Sequence, residues 1–429
     1  MTKRNDIPQG IEAMHQDRAG VVVLVNTGKS EALERLQRVA ANATVHVVTE
    51  AAYVSKYPRG TPMTIVKDVG RVSDVLDAVA AVHRGSTVTH VVSPSERSMP
   101  AGGYVRDVFA LGGIGSTTAN LLTNKFAMKQ RLVEHGLPVA EHRVTVGREQ
   151  LSAAARMIGF PVIIKPAFGT GSMDTHVLAD EDTLARLLAS ESGDRISDST
   201  RLMIVERYMT VGDELTCDGI VVRGKVEFAL ASLYNTPLLG GIGQMLGAST
   251  LRGADALAQE VRELHARTVS ALGIEEGVTH MEMLRTSDGL LVGEIACRPG
   301  GAGVVDSARL STGVDLWDAF MSLSLGHAPE IANDGSDPAP LMWTTLPTWP
   351  GRVVSLADEN AFRSVDGMQF VDMHIRVGDE ISSRMHSSTT TGIVYCRLDA
   401  PDRRQVADRL RQIENAYFLD TRPPAEEQR

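Results

Sequence analysis

The sequence is short of the residues that mark several kinds of protein. Only three of its 429 residues are cysteine, Cys217, Cys297 and Cys396. An odd number at no metal-ligand spacing argues against a disulfide scaffold and a zinc site, and fits reduced thiols in a cytoplasm. Apolar runs are short, none near the ~18 residues of a membrane span. The opening stretch "MTKRNDIPQGIEAMHQDRAG" lacks the apolar core of a secretory signal. Lys and Arg (43) are outnumbered by Asp and Glu (53) and form no basic run, so the net charge of -10 disfavours nucleic acid as a partner. Internal repeats and low-complexity tracts are also missing. What remains is a globular chain, 43% hydrophobic and 22% charged, long enough for two to four domains and best suited to a small-molecule substrate.

The pattern of what is present is α/β. "GVVVLVNTG" (20–28) is a β-branched run ending in turn residues, followed by the helical "SEALERLQRVAANA" and the strand "TVHVVT". The alternation continues through "MTIVKD", "VSDVLDAVAAVHR" and "VTHVVSP", which predicts a parallel, Rossmann-like layer over 1–123. A helix opening at Thr123 or Asn124 closes at Gly136 and Pro138, and 124–200 reads as a second domain. Strands and turns with one long helix, 253–272, make up a third domain, 201–335. After "NDGSDPAP", a β-rich cap ending in a helix is expected over 336–429.

Two phosphate-loop look-alikes fail on their own spacing. "VVVLVNTGKSEAL" contains Gly-Lys-Ser but has Val23 where a P-loop needs its first glycine. "LGGIGSTTAN" has Gly113 and Gly115 without the third glycine of a dinucleotide fingerprint, and it does not follow the first strand.

A third group of motifs is coherent. "VTHMEML" and "LLVGEIA" flank "RTSDG", whose Asp288-Gly289 pair signals a hairpin. An odd loop centred on Asp288 pairs Glu282 with Glu294 on one face, whereas an even loop puts the two acids on opposite faces. Directly opposed carboxylates repel unless a cation lies between them, and Mg²⁺ prefers carboxylate, water and phosphate oxygens. Arg298, just past the strand end, favours the paired arrangement, because a guanidinium there can grip phosphate beside a metal. "PVIIKPAFGTGS" places Lys165 at the end of an apolar strand before Gly169, Gly171 and Ser172. These residues are either donors to an anion or a simple turn with a surface lysine. Lys125 in the first turn of its helix meets either an anion or solvent. "MIVERYMTVGDEL" gives a strand ending in Glu206, then Tyr208, Met209 and Glu214. It can read an adenine edge and ribose hydroxyls, or be a plain hairpin.

In this order the motifs resemble the ATP-grasp superfamily of carboxylate-amine ligases. "NK" (124–125), "VIIKPAFGTGS", "VERYMTVGDE" and "HMEML...GEIACRPGG" together span about 175 residues and are specific as a set. The resemblance implies an N-terminal pre-ATP-grasp domain, two ATP-grasp subdomains around the nucleotide, and a C-terminal cap. It implies ATP with one or two Mg²⁺ ions, for which Mn²⁺ can substitute. Lys125, Lys165 and the 169–172 loop would meet phosphates, Glu206, Tyr208, Met209 and Glu214 the nucleoside, and Glu282 and Glu294 the metal. Arg298, with Gly300 and Gly301, would hold the transferred phosphate and a later oxyanion. His280, two residues before Glu282, would orient substrate or accept an amine proton unless it is structural.

Within the superfamily, "SPSERSMPAGGYVRDVFALGGIG", "PGRVVSL" and "IRVGDEISSRMHSSTTTGIVYCRL" are similar to L-amino-acid ligases of the bacilysin type and related peptide ligases. That similarity implies peptide-bond formation from small-molecule carboxylate and amine substrates, and it allows a homodimer. Rival expectations are an ATP-grasp carboxylase or nucleotide-precursor ligase, and a non-catalytic ATP-binding scaffold. Two positions depart from the family. Ala296 stands where an asparagine ligand is usual, and "GSMDTH" lacks the glycine that often follows the loop serine.

Overall fold

The computed structural model describes residues 20–169, 174–198, 200–237, 244–331, 337–382, 389–400 and 402–423. The chain forms two units, Met1–Ser116 with Ser324–His327, and Thr117–Leu323 with Ala328–Arg429.

In the first unit β1 (Val21–Val25), β2 (Thr44–Glu50), β3 (Met63–Val66) and β4 (Val88–Val92) form a parallel sheet in the order β3-β2-β1-β4. Every residue of β1 is buried, as befits a central strand covered on both faces. Its valines share a core with Val75 and Val79 of the helix Val72–Gly85 and Val105 of the helix Met99–Val108. The Gly28 amide, which a phosphate loop would offer to an anion, donates to the Tyr57 hydroxyl at 3.1 Å. The turn after β1 is therefore structural.

In the second unit, after the short helix Ser116–Leu121, comes the helix Lys125–Glu134, capped by the Asn124 side chain, which accepts from the amides of Phe126 and Ala127. It ends at Gly136, whose φ of +66° a side chain would strain. Next come β5 (His142–Val146), β6 (Val162–Pro166), β7 (His176–Leu178) and β8 (Leu202–Arg207), antiparallel in the order β5-β8-β6-β7. The helices Gly147–Ile158 and Glu181–Leu188 bury Leu151, Ile158 and Leu184 in the core of this sheet.

A larger antiparallel sheet follows. Its strands begin with β9 (Asp213–Val222), β10 (Lys225–Tyr234), β11 (Gly247–Thr250), β12 (Gly277–Thr286) and β13 (Gly289–Ala296). The chain's remaining strands, which fall in this sheet or a smaller one, are β14 (Leu341–Leu346), β15 (Gly351–Leu356), β16 (Met368–Met373), β17 (Glu380–Ile381), β18 (Gly392–Arg397) and β19 (Leu419–Arg422). The order is β13-β12-β9-β10-β11-β14-β18-β16, with β17-β15-β19 as a separate small sheet. The boundary placed at 335/336 from sequence thus does not interrupt the main sheet, because β14 pairs directly with β11. The C-terminal helix Arg403–Ala416 joins the same body by burying Val406 and Ile413 against Met342 and Val394. Among the described residues, no helix is long and apolar enough to cross a membrane.

Candidate active site

The two hairpin glutamates are partners, for a reason other than loop length. The β12–β13 turn has two residues, Ser287 and Asp288, between the paired Thr286 and Gly289. That even loop alone would set Glu282 opposite Gly293. A bulge between Glu282 and Met283 pairs Met283 with Val292 and Glu282 with Glu294, leaving Gly293 as the extra residue. A Cβ on Gly293 would lie 3.0 Å from the Glu282 carbonyl oxygen, so only glycine fits the bulge without displacement.

Cations from two other elements converge on this pair. Lys125 Nζ lies 3.0 Å from Glu294 Oε2 and donates to the Gly169 carbonyl at 2.7 Å, linking the helix start to the glycine loop. Burial pushes the Glu294 carboxyl up, but Lys125 and then Lys165 outweigh it and hold the group down at about 2. Glu294 is therefore an anion at any physiological pH.

Glu206, at the end of β8, turns its carboxylate toward two lysines. Lys165 Nζ is 3.1 Å from Oε1, an ion pair outside hydrogen-bond geometry, and Lys129 Nζ is 3.5 Å from Oε2. Lys129 is 1% exposed and also donates to the Val292 carbonyl at 3.4 Å, beside the bulge. Burial pulls its ammonium below the usual value while Glu206 opposes that. Burial raises the Glu206 carboxyl, and the two lysines more than reverse the effect. The side chain expected to read adenine is thus ion-paired with Lys165 and Lys129.

His280 forms a second buried set. Its Nδ1 is 2.7 Å from Asp218 Oδ1 on β9, and its Nε2 is 3.7 Å from Glu282 Oε1. Burial works against its charge, but Asp218 and then Glu282 overcome this and raise it to about 10. The ring is held between two carboxylates, an arrangement that suits an orienting role. Gly300 packs on this ring, where an added Cβ would sit 3.0 Å from Nδ1, whereas Gly301 has open space around it. Arg298 is half-buried, donates to the Pro299 carbonyl at 2.9 Å, and adds its charge to the field on Glu294.

A cavity of about 560 Å³ joins these parts. Lys125, Lys165, Gly169, Glu206, Tyr208, Met209, Glu214, Glu282 and Glu294 all line it, while Arg298, His280, Gly300 and Gly301 are not on its wall. The Tyr208 amide donates to the Pro161 carbonyl at 3.1 Å. Gly171 and Ser172 lie outside the described residues. Among those described, no group of three or more His, Cys, Asp or Glu is arranged to hold a metal. Two opposed carboxylates still suit Mg²⁺, which takes one or two carboxylates and completes its shell with water and substrate phosphates. Ala296, in register with His280, offers no further ligand.

Several functional positions were not read from the sequence. Lys129 lies one turn after Lys125 on the stripe that buries Met128 and Leu132, and a lysine on a buried stripe is itself a signal. Asp218 sits inside a strand buried over seven consecutive residues and so requires a partner. Tyr234 lines the cavity, its hydroxyl pushed well up by burial and then by Glu282 and Asp218. Arg403, Val406, Ala407 and Leu410 bring the C-terminal helix to the cavity, which no local motif announced.

Residues 130–312 match the family model of the ATP-grasp domain. Over 404 residues, 93% of this chain and 97% of the relative, the sequence is 27% identical to an L-arginine-specific L-amino acid ligase of Bacillus subtilis. The crystal structure of an L-amino acid ligase from Bacillus licheniformis superposes with a TM-score of 0.76 at 16% identity, covering 95% of this chain and 100% of that one. A carboxyaminoimidazole ribonucleotide synthase from Aspergillus clavatus, solved with ATP, gives a TM-score of 0.68 at 16% identity over 93% of this chain and 98% of its own. These structural likenesses establish the fold.

Proposed function

Because this chain is a member of the ATP-grasp superfamily, we propose that it joins a carboxylate to an amine, both from amino acids or a peptide, at the expense of ATP. The observation that carries this reading is the direct pairing of Glu282 with Glu294 on the wall of a cavity that also holds Lys125 and Lys165. Residues 124–200 and 201–335 are taken as the two halves that clamp the nucleotide, and the buried free thiols suit a reducing cytoplasm.

A carboxylate and a triphosphate repel, and the lysines answer that repulsion. Lys165, held from behind by Glu206, and Lys125, held by Glu294, present ammonium groups to the phosphate end of the cavity. Glu282 and Glu294 would hold Mg²⁺, one ion or two, which when bound would supply charge neutralisation for the transferring phosphoryl group.

A carboxylate oxygen of the first substrate forms a bond to the γ-phosphorus, ADP departs, and an acyl phosphate results. The amine nitrogen of the second substrate then bonds to the acyl carbon. The tetrahedral oxyanion is met by Arg298 and the amides near Gly300 and Gly301, and phosphate leaves. The amine proton goes to the departing phosphate or to water. The Asp218–His280 pair orients Glu282 from behind.

The test is release of ADP and phosphate with Mg-ATP against amino acids offered singly and in pairs. Release that depends on a pair, with a product one water lighter than the two substrates together, supports the ligase. ATP binding without release for any pair contradicts ligation of free amino acids.

A further inference from the structure

We infer that the C-terminal helix Arg403–Ala416 is the wall against which the nucleotide base is held, and that Arg403 and Asp213 form the latch that keeps it there. This rests on the nucleotide reading above.

The helix has two working stripes. Val406, Arg409 and Ile413 are buried toward the core, and Arg409 is tied there by Asp366 at 3.1 Å. Arg403, Ala407 and Leu410, spaced i, i+4 and i+7, line the cavity, together with Val406 at the seam between the two stripes. Ala407 is exposed, and Leu410 is half-buried, packing partly against the core while it also lines the cavity.

The position of this stripe along the cavity decides what it meets. The Arg403 guanidinium donates to the Asp213 carboxylate at the start of β9, where Arg285 also lies 3.6 Å away. Asp213 pairs with Arg285, and Thr216, three residues on, pairs with Glu282. At ~3.3 Å per residue the latch therefore stands about 10 Å along the sheet from the metal-binding acid. With the phosphates at Lys125 and Lys165, the end of the cavity bounded by Tyr208, Met209 and Leu284 is left for the base, and the helix closes that end with a small and an apolar side chain. Glu214, next to Asp213, is then placed for the ribose.

The experiment compares two probes by calorimetry, Mg-ADP and magnesium tripolyphosphate, on the full chain. Only the first has a base. Ala407→Trp is expected to raise the Kd for Mg-ADP by ~10-fold or more by filling the slot, with tripolyphosphate binding unchanged. Ala407→Val and Ala407→Leu, at an exposed position, should rank between wild type and Trp by side-chain size. Arg403→Ala should weaken Mg-ADP by about threefold, the scale of an exposed ion pair. Unchanged Mg-ADP binding in Ala407→Trp, or equal loss of both probes across the series, overturns the inference while leaving the nucleotide reading intact. Failure of the wild-type chain to bind Mg-ADP removes the nucleotide reading and the inference with it.

Discussion

Glu282 and Glu294 are cross-strand partners in a hairpin whose two-residue turn does not by itself pair them, and Gly293 supplies the missing residue as a bulge. The pairing of the two acids proposed to hold the metal therefore depends on a glycine with no side chain of its own. Gly293→Val should leave Mg-ADP binding measurable yet lower the rate of ADP release by ~10-fold and raise the Mg²⁺ concentration needed for half-maximal rate. Glu294→Gln, which removes the charge itself, should cost ~10²-fold or more in rate. A Gly293→Val enzyme with wild-type Mg²⁺ dependence would show that the register is maintained without the bulge.

Glu206 balances two lysines, one of them almost fully buried. Removing the acid leaves Lys129 without its counter-ion, and Glu206→Gln should destabilise the second unit by about 3 to 5 kcal/mol. Lys129→Met should cost less, because Lys165 still neutralises Glu206. The double variant, Glu206→Gln with Lys129→Met, should recover part of the loss. Urea unfolding of the four proteins measures this cycle, and strictly additive effects would mean that the pair is not coupled.

His265 gives a pH dependence of definite sign. The ring is buried between the helix Ala256–Leu272 and β12, with Nε2 2.8 Å from Thr279 Oγ1 and no hydrogen-bond partner for Nδ1 among the described residues. Burial lowers its pKa from 6.5 to about 4. The unfolded chain therefore binds a proton between pH 6.5 and 4 that the folded chain refuses. The contribution is complete above pH 6.5 and is lost as pH falls toward 4, by about 3 kcal/mol at most. The difference in unfolding free energy between wild type and His265→Asn, followed across that window, should narrow on acidification. A constant difference would refute the assignment.

Much of this design is visible in the chain itself, where local chemistry leaves few options. The β-branched run at 21–25 could hardly be anything but a central strand, and Asn124 and Gly136 mark the ends of their helix. Lys165, Glu206, Glu282 and Glu294 stand out because charged groups within apolar strands or at their ends require partners. The bulge could not be read, since it depends on the spacing of two strands rather than on either one. Nor could the turn of Glu206 toward Lys129, because a helix and a strand about 75 residues apart must first be packed together. The largest surprise, the C-terminal helix at the cavity, follows from β14 and β18 extending the sheet that carries the acids, a long-range pairing with no local signature.

The most direct test of phosphorylation as the activating step is the fate of carboxylate oxygen. An amino acid substrate labelled with ¹⁸O in its carboxylate should transfer one labelled oxygen to inorganic phosphate for each amide formed, because the bridging oxygen of an acyl phosphate leaves with phosphorus. Unlabelled phosphate accompanying amide formation, or label recovered in AMP, would contradict the account.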